Sequence, residues 1–154
     1  MRRKDREIKD LEMIKEIMAK CDCVRLGFQD AEGLYIVPLN FGFTEEDGEW
    51  TIYCHGAAAG RKGDCIRESG YAAFEMDTKH ELVTGEAACK YSYLYESIIG
   101  DGTIEMIEDI EEKKAGLEIV MNHYDKGDWE FNEMILKMVG VFKLKVKNLS
   151  CKAH

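Results

Sequence analysis

Residues 23–55 read CVRLGFQDAEGLYIVPLNFGFTEEDGEWTIYCH, and this stretch decides the fold class. Apolar and polar residues alternate through three runs, 23–29, 34–44 and 49–55, the period-two signature of half-buried strands. The turns between them, DAEG at 30–33 and EEDG at 45–48, are too short for anything but antiparallel neighbours, so a meander is expected. In the third run Ile52 and Cys54 share one face, and Thr51, Tyr53 and His55 share the other. The only proline of the chain, Pro38, falls inside the second run. It cannot donate to a ladder, which predicts an edge strand or a bulge at that point.

Outward from this stretch, Leu11, Ile14, Ile17 and Met18 recur at helical spacing behind a capping Asp10. RKGDCIRES at 61–69 reads as a short helix, with Gly60 before it and Gly70 as its stop. Strands are expected at 71–77 and 97–107, the latter with a bulge near Gly100 and Gly102. Residues 78–93 carry no clear period. Asp109 with Glu112 opens a helix that ends near Tyr124. Residues 139–147 close the pattern as a strand with Phe142, Leu144 and Val146 facing in. Six or seven strands and three helices without βαβ alternation predict a mainly β fold with inserted helices, an antiparallel barrel in a single domain, 1–154.

Charge narrows the partners. The 154 residues carry 21 basic and 30 acidic side chains, a net of −9, which repels nucleic acid and anionic membranes at long range. No run of apolar residues is long enough to span a membrane. The opening MRRKDREIKD lacks the apolar segment of a secretory leader, so the six cysteines read as reduced thiols and a cytoplasmic protein is expected. Cys21 and Cys23 could be joined by Cys151 and His154 around a metal, but C-x-C is a weak zinc pattern and no metal is expected. A domain of this length fills its interior with its own side chains, so a large ligand would sit at the surface or between subunits.

Two segments carry chemistry. In YCHGAAAGRKGDCI, 53–66, a strand ends at His55 and a loop of small residues leads into a helix with Arg61 and Lys62 in its first turn. Cations there oppose the helix dipole unless an anion sits against the N–H groups; the other reading is a surface loop whose cations pair with nearby carboxylates. In YIVPLNFG, 35–42, Leu39, Asn40 and Phe41 could lie against a planar ligand, and Asn40 offers both a donor and an acceptor. A strand-edge bulge without a ligand gives the same pattern.

VPLNFGF at 37–43, IYCHGAAAGRKGDCI at 52–66, FEMD at 74–77, HELV at 80–83 and YESIIGDGTIEMIED at 95–109, in this order and spacing, resemble the pyridoxamine 5′-phosphate oxidase-like flavin-binding superfamily. Within it the chain is most similar to the nitroimidazole-resistance group, and the similarity covers residues 1–147. The resemblance implies an antiparallel split β-barrel that forms a homodimer, with FMN in grooves at the subunit interface. It also implies roles for residues. Gly60, Arg61 and Lys62 would hold the FMN phosphate, Pro38, Leu39 and Asn40 would lie against the ring, and His55, Gly56 and Ala57 would flank the cofactor with His55 as the active-site histidine. Ser97 and Ile98 would contact the flavin, in some members from the partner subunit.

The function expected from this is an FMN-dependent oxidoreductase that passes electrons to a small planar acceptor such as a nitroimidazole. No dinucleotide fingerprint is present, so a nicotinamide donor would dock transiently over the flavin. The alternatives are a pyridoxamine or pyridoxine 5′-phosphate oxidase, which needs a second basic cluster for its substrate, and a flavin-binding sensor or storage module without turnover.

Overall fold

In the computed structural model, which describes residues 3–154, the chain runs β1 (Glu7–Ile8), α1 (Leu11–Lys20), β2 (Val24–Asp30), β3 (Gly33–Leu39), β4 (Phe41–Glu46), β5 (Glu49–Ala57), α2 (Arg61–Ser69), β6 (Tyr71–Val83), β7 (Ser92–Met106), α3 (Ile110–Tyr124), α4 (Glu133–Met138) and β8 (Val139–Ala153). All strand pairs are antiparallel, in the order β3-β2-β6-β7-β8-β5-β4, with β1 added to β8.

The two hairpins of residues 23–55 form as expected, but the meander between them does not. The run 34–44 is two strands divided at Asn40, and β3 and β4 lie at opposite ends of the sheet. One residue therefore joins the two edges, and the sheet must curl until they meet. Thr44 lies level with Thr51, Lys145, Thr103 and Tyr71 in turn, two residues from the row Ala73, Gly27, Ile36. The strand thus returns displaced along itself by roughly ten residues, the stagger that tilts the strands of a closed barrel. The result is a split barrel, open between β3 and β4.

Side chains fill the barrel. Val24, Leu26, Phe41, Ile52, Met76, Ile98, Phe142 and Leu144 are all buried inside it, and α1 adds Ile14, Ile17 and Met18 to the same core. A second, smaller core lies outside, where Leu117 of α3 and Leu136 of α4 pack with Ile107, Val141 and Tyr53. The expected faces of β5 hold: Ile52 and Cys54 are interior, and Tyr53 is under α3.

Local signals set the helix ends. Asp10 accepts from the Met13 N–H and Asp109 from the Glu112 N–H, each at 2.9 Å. Gly70 ends α2 in the left-handed region. α4 was not expected; six residues are too few to display a period, and Asn132 caps it. Residues 78–93 are the far ends of β6 and β7 and the loop between them, which holds a 3-10 turn at Ala88–Lys90; the register slips between Thr78 and Glu81, and the bulge expected near Gly100 and Gly102 lies between Asp101 and Gly102. Among the described residues no helix is long and apolar enough to cross a membrane.

The split is fastened by a side chain. The Phe41 N–H donates to Tyr124 Oη at 3.1 Å, and the same hydroxyl donates to the Asp22 carbonyl at 2.8 Å. His123 Nε2 lies 2.7 Å from the Cys21 carbonyl and its ring packs on Phe41. The end of α3 thus ties the start of β4 to the start of β2. Tyr124→Phe should cost about 1–2 kcal/mol of unfolding free energy, since it removes both bonds at once. Urea denaturation checks this, with a cost near zero as the contrary result.

Candidate functional site

The candidate site starts where β5 ends. Its last residues, Gly56 and Ala57, lead through a loop to Gly60, whose φ of +94° is one that residues with a side chain rarely adopt. Among the described residues no side chain caps the α2 N-terminus, so its first N–H groups have no side-chain acceptor and the helix dipole favours an anion there.

The two cations of that first turn go different ways. Arg61 is committed to Asp30 of the β2–β3 turn by a two-pronged pair, Nε to Oδ2 at 2.7 Å and Nη2 to Oδ1 at 2.8 Å, and it stacks over the Tyr35 ring. Those bonds hold the Asp30 carboxyl well below the usual carboxylate range. Lys62 makes no ion pair among the described residues. It is half-buried over the Phe142 ring, 5.0 Å from its centroid, and it occupies the room left by Gly56, where a Cβ would stand 2.5 Å from its ammonium. Burial pushes the Lys62 pKa down.

His55 lies on the opposite face of β5 from the barrel core, beside Val141 of β8. Its Nδ1 is buried with no hydrogen-bond partner among the described residues. Burial, and secondarily the Lys62 charge, lowers its pKa below 6.5, so the ring is neutral at neutral pH. Asn40 is exposed at the split. One residue beyond the Phe41–Cys54 pair, the β4–β5 register brings it beside His55. The structure therefore gathers Asn40, His55, Gly56, Ala57, Gly60 and Lys62 at one end of the barrel.

The other sequence-derived residues stand apart. Pro38 is exposed on edge strand β3, opposite Arg25, where its missing N–H breaks no central ladder. Leu39 is half-buried against the barrel core. Ser97, on β7, is opposite Asp77 and three strands from Pro38, a separation of roughly 14 Å at ordinary strand spacing. The Ile98 side chain is fully buried inside the barrel, so only its backbone can meet a ligand. Between Pro38 and Ser97 the outer face carries the ion-paired Arg25, Glu75 and Asp77, and farther along the same strands it is shallow and apolar. Gly27 and Ala73 floor a groove of about 550 Å³, with Leu34, Ile36 and Tyr71 beside it, and Ile99 stands exposed on the next strand.

The cysteines and remaining histidines are also placed. All six cysteines are free thiols, and Cys21 and Cys151 are buried in the barrel core, where burial raises their pKa to about 12 and about 11. His154 Nε2 lies 2.8 Å from Ser92 Oγ and 3.0 Å from Arg6. Among the described residues no three His, Cys, Asp or Glu side chains gather as metal ligands. Sequence reasoning missed Asp30 as the partner of Arg61, because the pair closes over thirty residues of chain; the only signal was an acid in the preceding turn.

Residues 10–153 match the family model described as pyridoxamine 5′-phosphate oxidase. The chain belongs to this family. Among solved structures, a candidate 5-nitroimidazole antibiotic resistance protein from Bacteroides thetaiotaomicron is 33% identical over 96% of this chain and 86% of that one, with a TM-score of 0.82. The flavocytochrome Anf3 of Azotobacter vinelandii, 20% identical over 100% of this chain and 72% of its own, has a TM-score of 0.83. An FAD- and heme-binding protein of Mycobacterium smegmatis, 17% identical over 96% and 73%, has a TM-score of 0.81. These last two share the fold. No curated protein matches the chain. The split barrel thus has the architecture of the pyridoxamine 5′-phosphate oxidase family, and the gathered residues lie at one end of it.

His55 should titrate below 6.5, and Lys62→Met should move it upward by removing a neighbouring positive charge. Because the unfolded chain takes up this proton first, the stability that His55 contributes falls as pH is lowered from 6.5 through the folded value. Histidine ring NMR across that range checks both statements; a ring titrating at or above 6.5 contradicts them.

Proposed function

We propose that the protein is an FMN-dependent oxidoreductase acting on a small planar acceptor, of which a nitroimidazole is one example. The observation that carries this is the uncapped α2 N-terminus with Lys62 half-buried beside it and without a carboxylate partner. In a chain of net charge −9 such a cation is expected to find an acid, as Arg61 does. Leaving it free suits a site whose anion arrives with a ligand. The family membership and the 33% identity to the Bacteroides protein support the same reading.

The residues fit a flavin phosphate. Gly60 and the first N–H groups of α2 would cradle it, Lys62 would neutralise it, and Arg61, clamped to Asp30, would fix the helix start. Pro38, Leu39 and Asn40 would lie along the ring, with the Asn40 amide at its polar edge, and Gly56 and Ala57 leave space for a close approach. Bound FMN would supply the electron transfer. His55 Nδ1, buried and unpartnered, is the atom that would hold or accept a proton of a bound polar group.

Ser97 and the Ile98 backbone are too far along the sheet to close the same pocket within one chain, which favours a homodimer in which the partner supplies them. The open apolar groove around Gly27 and Ala73 is the surface we assign to that contact. Its exposed Leu34 and Ile36 are costly to leave in water and would be buried by a second copy.

The protein as purified should absorb in the visible or take up FMN on titration, and colourless protein that ignores FMN would sink the proposal. Lys62→Ala should weaken FMN binding by about tenfold or more, the loss of one charge-assisted contact, at unchanged fold. Ile36→Asp should turn dimers into monomers in light scattering, because it sets a charge in the middle of the apolar contact; an undisturbed dimer would move the interface elsewhere.

A further inference from the structure

The far ends of β6 and β7 hold an arrangement around His80 that the phosphate site does not use. Where the register slips between Thr78 and Glu81, Lys79 takes φ +57°, a conformation that costs a long side chain of order 1–3 kcal/mol unless its surroundings impose it. Lys79 Nζ lies 3.6 Å from Glu96 Oε1, and the same largely buried carboxylate lies 3.9 Å from Lys20. A bulge of this kind re-aims the side chain beside it.

That side chain is His80. Its Nε2 lies 2.8 Å from Asp77 Oδ2, and its ring is stacked on Tyr93 with centroids 6.3 Å apart. Asp77 is held from the other side by Arg25 Nη1 at 2.7 Å. Burial works against the charge on Asp77, and the hydrogen bonds from Arg25 and His80 more than offset it, so the carboxyl stays below its usual range. An ionised carboxylate can only accept, which assigns a proton to Nε2 and leaves Nδ1 as the nitrogen open to a ligand. The imidazole is fixed on two sides, yet 49% of its side chain remains exposed. A ring positioned at the expense of backbone strain and left open to solvent is organised for a ligand rather than for packing.

Its place in the sheet agrees. Asp77 faces Ser97 across β6 and β7, and Arg25 faces Pro38 across β2 and β3. Asp77 thus stands beside Ser97, which the dimer reading above gives to the flavin held by the partner subunit.

We propose that His80 is a substrate-recognising residue of the flavin site. Its Nδ1 accepts from an N–H or O–H of a planar heteroaromatic substrate, and the Tyr93 ring forms the wall beside it. Asp77 is a positioning residue. This inference rests on the flavin reading.

The test titrates 4-nitroimidazole, which has a ring N–H, and 1-methyl-4-nitroimidazole, which lacks it, into the FMN-loaded protein and reads the flavin absorption. One hydrogen bond predicts that the wild type prefers the first by about tenfold. His80→Ala should abolish the preference and Asp77→Asn should reduce it, both with FMN affinity unchanged. A preference that survives His80→Ala, a wild type without preference, or a wild type that binds neither compound overturns the assignment of His80. Failure to take up FMN at all is a separate result, and it overturns the flavin reading itself.

Discussion

One stretch of chain shapes this molecule by supplying both edges of its sheet. β3 and β4 are consecutive, yet they pair with β2 on one side and β5 on the other. A flat sheet cannot satisfy that, so the barrel, its tilt and its stagger follow from Asn40 alone joining the edges. The cost of the crossing is local. The Phe41 N–H leaves the ladder, and Tyr124 at the end of α3 supplies its acceptor. Because that hydroxyl also reaches Asp22, α3, β4 and the start of β2 hold one another.

The outer surface is divided accordingly. α3 and α4 cover the side formed by β5 and β8, and a second core forms there. The side formed by β3, β2, β6 and β7 carries no helix over the groove at Gly27 and Ala73, and apolar side chains stand out from it. The assigned phosphate site lies at the covered end, whereas the His80 cluster lies on the uncovered sheet. In the dimer reading the two meet through a second chain, which answers the size limit of a 154-residue barrel packed with its own side chains.

Electrostatics separates residues that look alike in one dimension. Arg61 and Lys62 are neighbours in the same helical turn, yet one is neutralised by Asp30 and the other is left over an aromatic ring. His55 and His80 differ in the same way: the first is made neutral by burial and a nearby ammonium, and the second is held by a carboxylate with half its surface in water. Each difference is a matter of what a distant segment brings alongside.

The sequence by itself determined the elements. Alternation placed β2 and β5 and their faces, caps at Asp10 and Asp109 set two helices, and Gly70 stopped a third, because each signal acts within a few residues. It also marked the end of β5 and the turn before α2 as chemically unusual. Tertiary structure alone decided that residues 34–44 are two strands. Leu39, Phe41 and Phe43 continue the alternation without a break, and alternation records which face is buried, not which strand accepts the hydrogen bonds. Six-residue α4 and the bulged arm at 78–93 were too short or too irregular to show a period. Which cation is free, which histidine nitrogen is unpartnered and which strands flank Asp77 depend on contacts between segments far apart in sequence, and only the closed barrel brings them together.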